Sequence, residues 1–114
     1  MRLAIIGSRN FTDWHLLESK IDELNLKPTE IVSGGAKGAD SLGEKYAKMK
    51  NIPIKIYKPD WEKYGKAAGV IRNEDIINYS DRVIAFWDGK SKGTKNSIDH
   101  ARKLSKKVYI ISVG

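Results

Sequence analysis

Cysteine is absent from this 114-residue chain, which removes a disulfide framework, a thiolate nucleophile and a cysteine-based zinc site at once. Long apolar runs are absent too. The longest, such as Val83 to Trp87, spans only a few residues, where a membrane helix needs about twenty. The chain also enters a strand-like run directly after Met1-Arg2, so nothing in it is expected to target a membrane. The expectation is a cytoplasmic protein without a membrane segment. No repeat, low-complexity tract or interdomain linker interrupts the sequence. His15 and His100 stand far apart with no carboxylate pair at metal-ligand spacing, so neither a metal nor another cofactor is expected. The Gly-x-Ser-x-Gly elbow is missing and Asp99-His100 is a lone adjacent pair, which leaves a hydrolytic triad unsupported.

What is present suits a globular chain. Hydrophobic residues make up 40% and charged residues 31%, too apolar a mixture for disorder. The length accommodates one core, so residues 1–114 are expected to form a single domain. A net charge of +7, from 21 Lys and Arg against 14 Asp and Glu, favours phosphate-bearing partners without naming one. Much of it lies in Lys45-Lys48-Lys50, Lys63-Lys66 and Arg102-Lys103-Lys106-Lys107. Solvated helix faces explain that spacing equally well.

Short Ile- and Val-rich runs recur at Leu3 to Ile6, Glu30 to Ser33, Ile54 to Tyr57, Val83 to Trp87 and Val108 to Ser112, and each reads as a strand. Helical periodicity lies between them. Trp14, Leu17, Ile21 and Leu24 share one face, as do Ala39, Leu42, Tyr46 and Met49. Ile98, Ala101 and Leu104 outline another, and Ala67 to Tyr79 is long enough for a fourth helix. The segment Lys58 to Lys66 has Trp61 and Tyr64 but no clean period, and reads as a loop whose aromatics either cap a ligand or cover the rim of the core. Alternating strands and helices predict a Rossmann-like, doubly wound α/β domain. Its parallel sheet of about five strands is expected in the order three-two-one-four-five.

Ligands of such sheets bind beyond the carboxyl ends of the strands, where the strand order reverses. The loops there are Gly7-Ser8-Arg9-Asn10-Phe11, Ser33-Gly34-Gly35-Ala36-Lys37-Gly38-Ala39-Asp40 and Asp88-Gly89-Lys90-Ser91-Lys92-Gly93-Thr94. The middle loop is neither Gly-x-Gly-x-x-Gly nor a Walker motif. Its glycines either let backbone amides approach an anion or simply make a tight strand-to-helix turn. Asp40 either caps free amides at a helix start or meets a sugar hydroxyl. Thr94 is read as an N-cap, a phosphate contact, or both. Arg9 follows a strand-ending Gly7-Ser8, where a guanidinium reaches carboxylate or phosphate in forked geometry. Spacing alone makes Arg72 a surface residue.

Together, Gly7-Ser8-Arg9, Ser33 to Asp40, Arg72-Asn73 with Ser80-Asp81, Phe86-Trp87-Asp88-Gly89 and Gly93-Thr94 resemble the YspA/YpsA-related branch of the SLOG superfamily, across nearly the whole chain. That superfamily includes DprA (Smf) and the lonely-guy phosphoribohydrolases. The resemblance implies a Rossmann-like ligand-binding module that senses or processes nucleotides, and a homodimer or higher homo-oligomer. It gathers Gly7, Ser8, Arg9, Ser33, Gly34, Gly35, Gly38, Ala39, Asp40, Arg72, Asn73, Asp88, Gly89, Gly93 and Thr94 around one pocket, with Arg72 now a candidate. The implied ligand is a nucleoside phosphate or an ADP-ribose-like molecule. A related enzyme would hydrolyse such a ligand at its glycosidic bond. However, Gly93-Thr94 runs into Lys95-Asn96-Ser97, without the glutamate that follows this loop in the phosphoribohydrolases. Asp40 and Glu74 are the carboxylates left for that role, and no residue is assigned to catalysis. The DprA resemblance implies instead a single-stranded nucleic acid partner, which the basic charge suits.

Overall fold

The computed structural model describes residues 1–114. Five parallel strands form its sheet: β1 (Arg2–Gly7), β2 (Glu30–Ser33), β3 (Ile54–Ile56), β4 (Arg82–Trp87) and β5 (Lys107–Ser112), in the order β3-β2-β1-β4-β5. The expected Rossmann-like α/β fold and strand order are the ones observed. Helices α1 (Trp14–Glu23), α2 (Ala39–Met49), α4 (Ala68–Tyr79) and α5 (Lys92–Lys103) cover the sheet, with the short α3 (Trp61–Tyr64) before α4. No helix is long and apolar enough to cross a membrane.

The pleat divides each central strand between two cores. Leu3 and Ile5 of β1, Ile31 of β2, and Ile84 and Phe86 of β4 pack with Leu17 and Ile21 of α1 and Tyr46 and Ala47 of α2. Ala4 and Ile6, Val32, and Val83 and Ala85 pack on the other face with Ile76 and Ile77 of α4 and Ile98 and Ala101 of α5. A strand buried on both faces needs apolar residues at every position, which is why β1 and β4 read as continuous runs rather than alternating ones. Phe11, just past β1, stacks on Phe86 with ring centroids 4.8 Å apart, so the β1–α1 loop is anchored to the core.

Three helices end alike. Asn25, Asn51 and Ser105 adopt φ of 54°, 58° and 59°. The amides two residues past each helix cap then bond back, Leu26 to Ile21, Ile52 to Ala47 and Lys106 to Ala101, in the Schellman pattern. These reversals explain one set of departures from the periodicity. Leu24, Met49 and Leu104 fall on the expected inward faces yet are exposed, because each stands at the last turn, where the chain leaves the helix axis. The other departure is Lys58 to Lys66, expected as a loop. It contains α3, with the Asp60 carboxylate accepting from the Lys63 amide at 3.1 Å, and then a 3-10 turn at Gly65–Ala67. A helix of one turn is too short to display a period.

Candidate functional site

At the carboxyl edge, where β1 lies between β2 and β4, the loops after β1 and β2 converge with α4 and the start of α5. Ser8 fastens them. Its amide donates to the Phe86 carbonyl at 3.0 Å and its carbonyl accepts from Ala39, while its hydroxyl accepts from the Asp88 amide. Ser8 is almost wholly buried, so it holds loops together rather than facing the crevice. Gly38 permits the crossing. It sits at φ 76° and ψ −126°, and a Cβ there would collide with the Ser8 and Arg9 carbonyl oxygens.

The glycine-rich loop after β2 already surrounds an anion, namely its own Asp40. The Ala36 amide donates to Asp40 Oδ2 at 3.2 Å. The Gly35 amide turns to Ser33 Oγ, and Ser33 Oγ donates to the Asp40 carbonyl. Thus the amides of Gly35 and Ala36 are satisfied within the loop. Burial pushes the Asp40 carboxyl above its ordinary range, against the opposing pull of the Ala36 amide, the Arg72 charge and the Gly34 amide. Asp40 lies inside the first turn of α2, whose N-cap is Gly38, and its carboxylate ties down the preceding loop rather than the free amides of the helix.

Arg72 braces the same loop from α4. Its Nη1 donates to the Gly34 carbonyl at 2.8 Å and its Nε to Asn73 Oδ1 at 2.9 Å. Gly34 has no room for more, since a Cβ there would stand 2.8 Å from Arg72 Nη1 and 2.9 Å from Asp40 Oδ2. On the α5 side, Asp88 Oδ1 accepts from the amides of Lys90 and Ser91, which hold its carboxyl below the usual range. Ser91 is the N-cap of α5. This corrects the expectation that Thr94 caps the helix after Gly93: both lie inside the first turn, and the buried Thr94 donates its amide to Ser91 Oγ at 3.4 Å. Gly93, also in that turn, has no intrahelical acceptor for its amide.

A hollow of about 250 Å³ opens between these elements. Of the residues expected there, Gly7, Arg9, Asp40, Arg72, Asn73, Gly93 and Thr94 line it. Ser8, Ser33, Gly34, Gly35, Gly38, Ala39, Asp88 and Gly89 do not, and form its supporting loops. Lys66, Gly69, Val70 and Ser91 also contribute to the lining, and the sequence reading did not anticipate them. Lys66 lay in the segment without a period, so the one available signal was its neighbour Gly65. The pocket brings three cationic side chains, Arg9, Lys66 and Arg72, around the single carboxylate of Asp40. Arg9 and Lys66 are exposed and make no ion pair. The chain's ion pairs are Arg2–Asp81, Lys20–Glu23, Lys50–Glu18 and Lys95–Asp99. Such a pocket suits an oxyanion, since forked guanidinium groups and a free helix-terminal amide match phosphate geometry. No group of three or more His, Cys, Asp or Glu is placed to hold a metal ion.

Known proteins are similar to this chain in fold or in sequence. The structure superposes on DNA processing protein A from Streptococcus pneumoniae with a TM-score of 0.81 at 19% identity, over 99% of this chain and 50% of that one. For DNA processing protein A from Helicobacter pylori, described for its single-stranded DNA binding mode, the TM-score is 0.77 at 24% identity, over all of this chain and 66% of that one. These likenesses establish the fold, and the chain spans about half to two thirds of those larger proteins. In sequence, the Gene 61 protein of Mycobacterium phage D29 is 35% identical over 99% of this chain and 96% of its own length. The SPbeta prophage-derived protein YoqJ of Bacillus subtilis is 33% identical over 51% of this chain and 40% of its own length. Residues 1–64 match the profile described as the YspA, cpYpsA-related SLOG family. With the glycine-rich loop of β2 inside the matched segment and a full-length relative beside it, this chain belongs to the YspA, cpYpsA-related SLOG family.

Proposed function

We propose that the chain binds single-stranded nucleic acid, seating a backbone phosphate in the carboxyl-edge pocket between Arg9, Lys66 and Arg72. The observation that carries this reading is the pocket's size together with its charge. About 250 Å³ falls below the range of roughly 300 to 1,000 Å³ in which small molecules are usually enclosed. It suits a phosphate or one nucleotide unit. Two of its three cations are exposed and unpaired, as a surface that tracks a strand requires. The net charge of +7 supports the same partner by drawing polyanions to the surface. The Helicobacter pylori neighbour with a single-stranded DNA binding mode adds support at the level of fold.

A second reading has one observation in its favour. The pocket lies at the switch point of the sheet, the customary place for nucleotides in doubly wound folds, so a nucleoside monophosphate remains the small-molecule alternative. Fluorescence anisotropy with a labelled ten-nucleotide single strand, set beside thermal shift with nucleoside monophosphates, separates the two. The proposal expects salt-sensitive strand binding weakened in Arg9→Ala, and no comparable stabilisation by monophosphates. A saturable monophosphate shift abolished in Arg9→Ala, without strand binding, would replace it with the small-ligand reading.

A further inference from the structure

Beside the phosphate pocket stands a side chain that the fold does not use. Trp61 is 58% exposed, and its neighbours Tyr64 and Val70 are 41% and 46% exposed. Tryptophan is ordinarily well buried, so an exposed one is informative. The other two tryptophans have structural work. Trp14 tilts against Tyr46 at 6.4 Å, and Trp87 donates its indole N–H to the Ser91 carbonyl at 3.1 Å. Trp61 joins neither core cluster. The outer edge of its ring approaches Gly69, where the position of an added Cβ would be 3.7 Å from Trp61 Cη2. Gly69, Val70 and Lys66 are also walls of the pocket. The indole is therefore a continuation of the pocket rim, with α3 held in place by its Asp60 cap.

We propose that Trp61 is a base-stacking platform: a base of the single strand lies on the exposed indole while an adjacent phosphate occupies the pocket. This rests on the strand-binding reading above and assigns the groups that meet the bases. Two features favour a nucleic acid over a second copy of this chain. Lys63 and Lys66 flank the aromatics, with Lys63 Nζ 5.1 Å from the Tyr64 ring centroid. Lys58, Lys63 and Lys66 outnumber Asp60 and Glu62 along this exposed segment, so pairing the face with itself would oppose net positive charge in a protein already at +7, whereas a polyanion neutralises it. Every base has a π-face, so the platform is sequence-tolerant.

The test measures affinity for a ten-nucleotide thymidine strand and for an abasic strand of the same length and charge. It uses wild type, Trp61→Ala and Trp61→Phe, with circular dichroism confirming the fold. Wild type should bind the thymidine strand about tenfold more tightly than the abasic one. Trp61→Ala should erase that preference with an unchanged salt slope, and Trp61→Phe should restore most of it. In a Trp14→Phe, Trp87→Phe background, Trp61 fluorescence should be quenched by the thymidine strand only. Equal binding of both strands by wild type and Trp61→Ala would overturn the platform and leave the phosphate pocket standing. Failure of wild type to bind either strand would overturn both. Concentration-dependent dimerisation lost in Trp61→Ala would make the patch a self-association surface and overturn the assignment.

Discussion

Replacing Gly38 by alanine probes the joint on which the pocket depends. The native backbone at φ 76° and ψ −126° lies in a region that glycine alone enters without penalty, and a side chain there costs about 1 to 3 kcal/mol. The new Cβ would also strike the Ser8 and Arg9 carbonyl oxygens, both main-chain atoms that cannot rotate away. Relief requires the two loops to separate, which breaks the Ala39 amide to Ser8 carbonyl bond of 3.3 Å, worth about 1 kcal/mol. The sum is about 2 to 4 kcal/mol, a large share of the 5 to 15 kcal/mol typical of a domain. It should appear in urea unfolding as a lower midpoint with an unchanged m-value, and as a fall in Tm of about 10 °C. Gly89→Ala is the internal control. Gly89 has φ 80° and nothing within 4 Å of an added Cβ, so it should lose only about 1 kcal/mol from backbone strain. If both variants lose the same amount, the crossing of the two loops at Gly38 is not the constraint described.

Asp40→Asn retains an acceptor for the Ala36 amide while removing the buried charge. Because burial raises the folded carboxyl above its unfolded value, folding takes up a proton. The resulting stability is fully present below the unfolded pKa of about 3.9 and is lost as pH rises through the raised folded value. Urea midpoints across acidic to neutral pH should therefore show the wild type losing ground to the variant as pH rises. The variant should also bind a single strand more tightly at neutral pH, since one like charge has left the phosphate pocket; weaker binding would instead give Asp40 a direct ligand contact. Lys106→Met should lose about 2 kcal/mol in the same assay. Lys106 Nζ donates to the carbonyls of Ile77, Asn78 and Ser80 at 2.6, 2.9 and 2.7 Å, and methionine fills similar volume while removing the donor they share, leaving the Ile77 carbonyl only the Ser80 amide at 3.3 Å.

The central architecture was legible because burial on both faces imposes apolar runs on β1 and β4, and because glycine clusters mark where those runs turn into helices. Helix ends were less legible. Asn25 and Asn51 take a left-handed conformation that asparagine adopts less often than glycine, a weak cue that Leu24 and Met49 leave the core face, and Ser105 gives none for Leu104. The pocket was half legible. Gly7, Arg9 and Gly93 declare themselves by position after a strand or before a helix, whereas Arg72 enters from the first half of α4, and only resemblance moved it from surface to pocket. Lys66 was hidden in a stretch whose helical turn is too short to leave a periodic pattern. The internal bonding of the glycine-rich loop was not legible. Its Ala36 amide does bind a carboxylate, but that of Asp40, a few residues along the same chain, while the Gly35 amide turns to Ser33 Oγ.

The most direct measurement is the salt dependence of single-strand affinity for wild type and for the Arg9→Ala, Lys66→Ala double variant. Each phosphate neutralised on a single strand contributes about 0.7 to the slope of log affinity against log salt. If the pocket holds one phosphate, the double variant should bind at least tenfold more weakly at physiological salt, with a slope shallower by about 0.7. An unchanged slope and affinity, in a variant that folds normally, would contradict the account and move the nucleic acid away from the carboxyl edge.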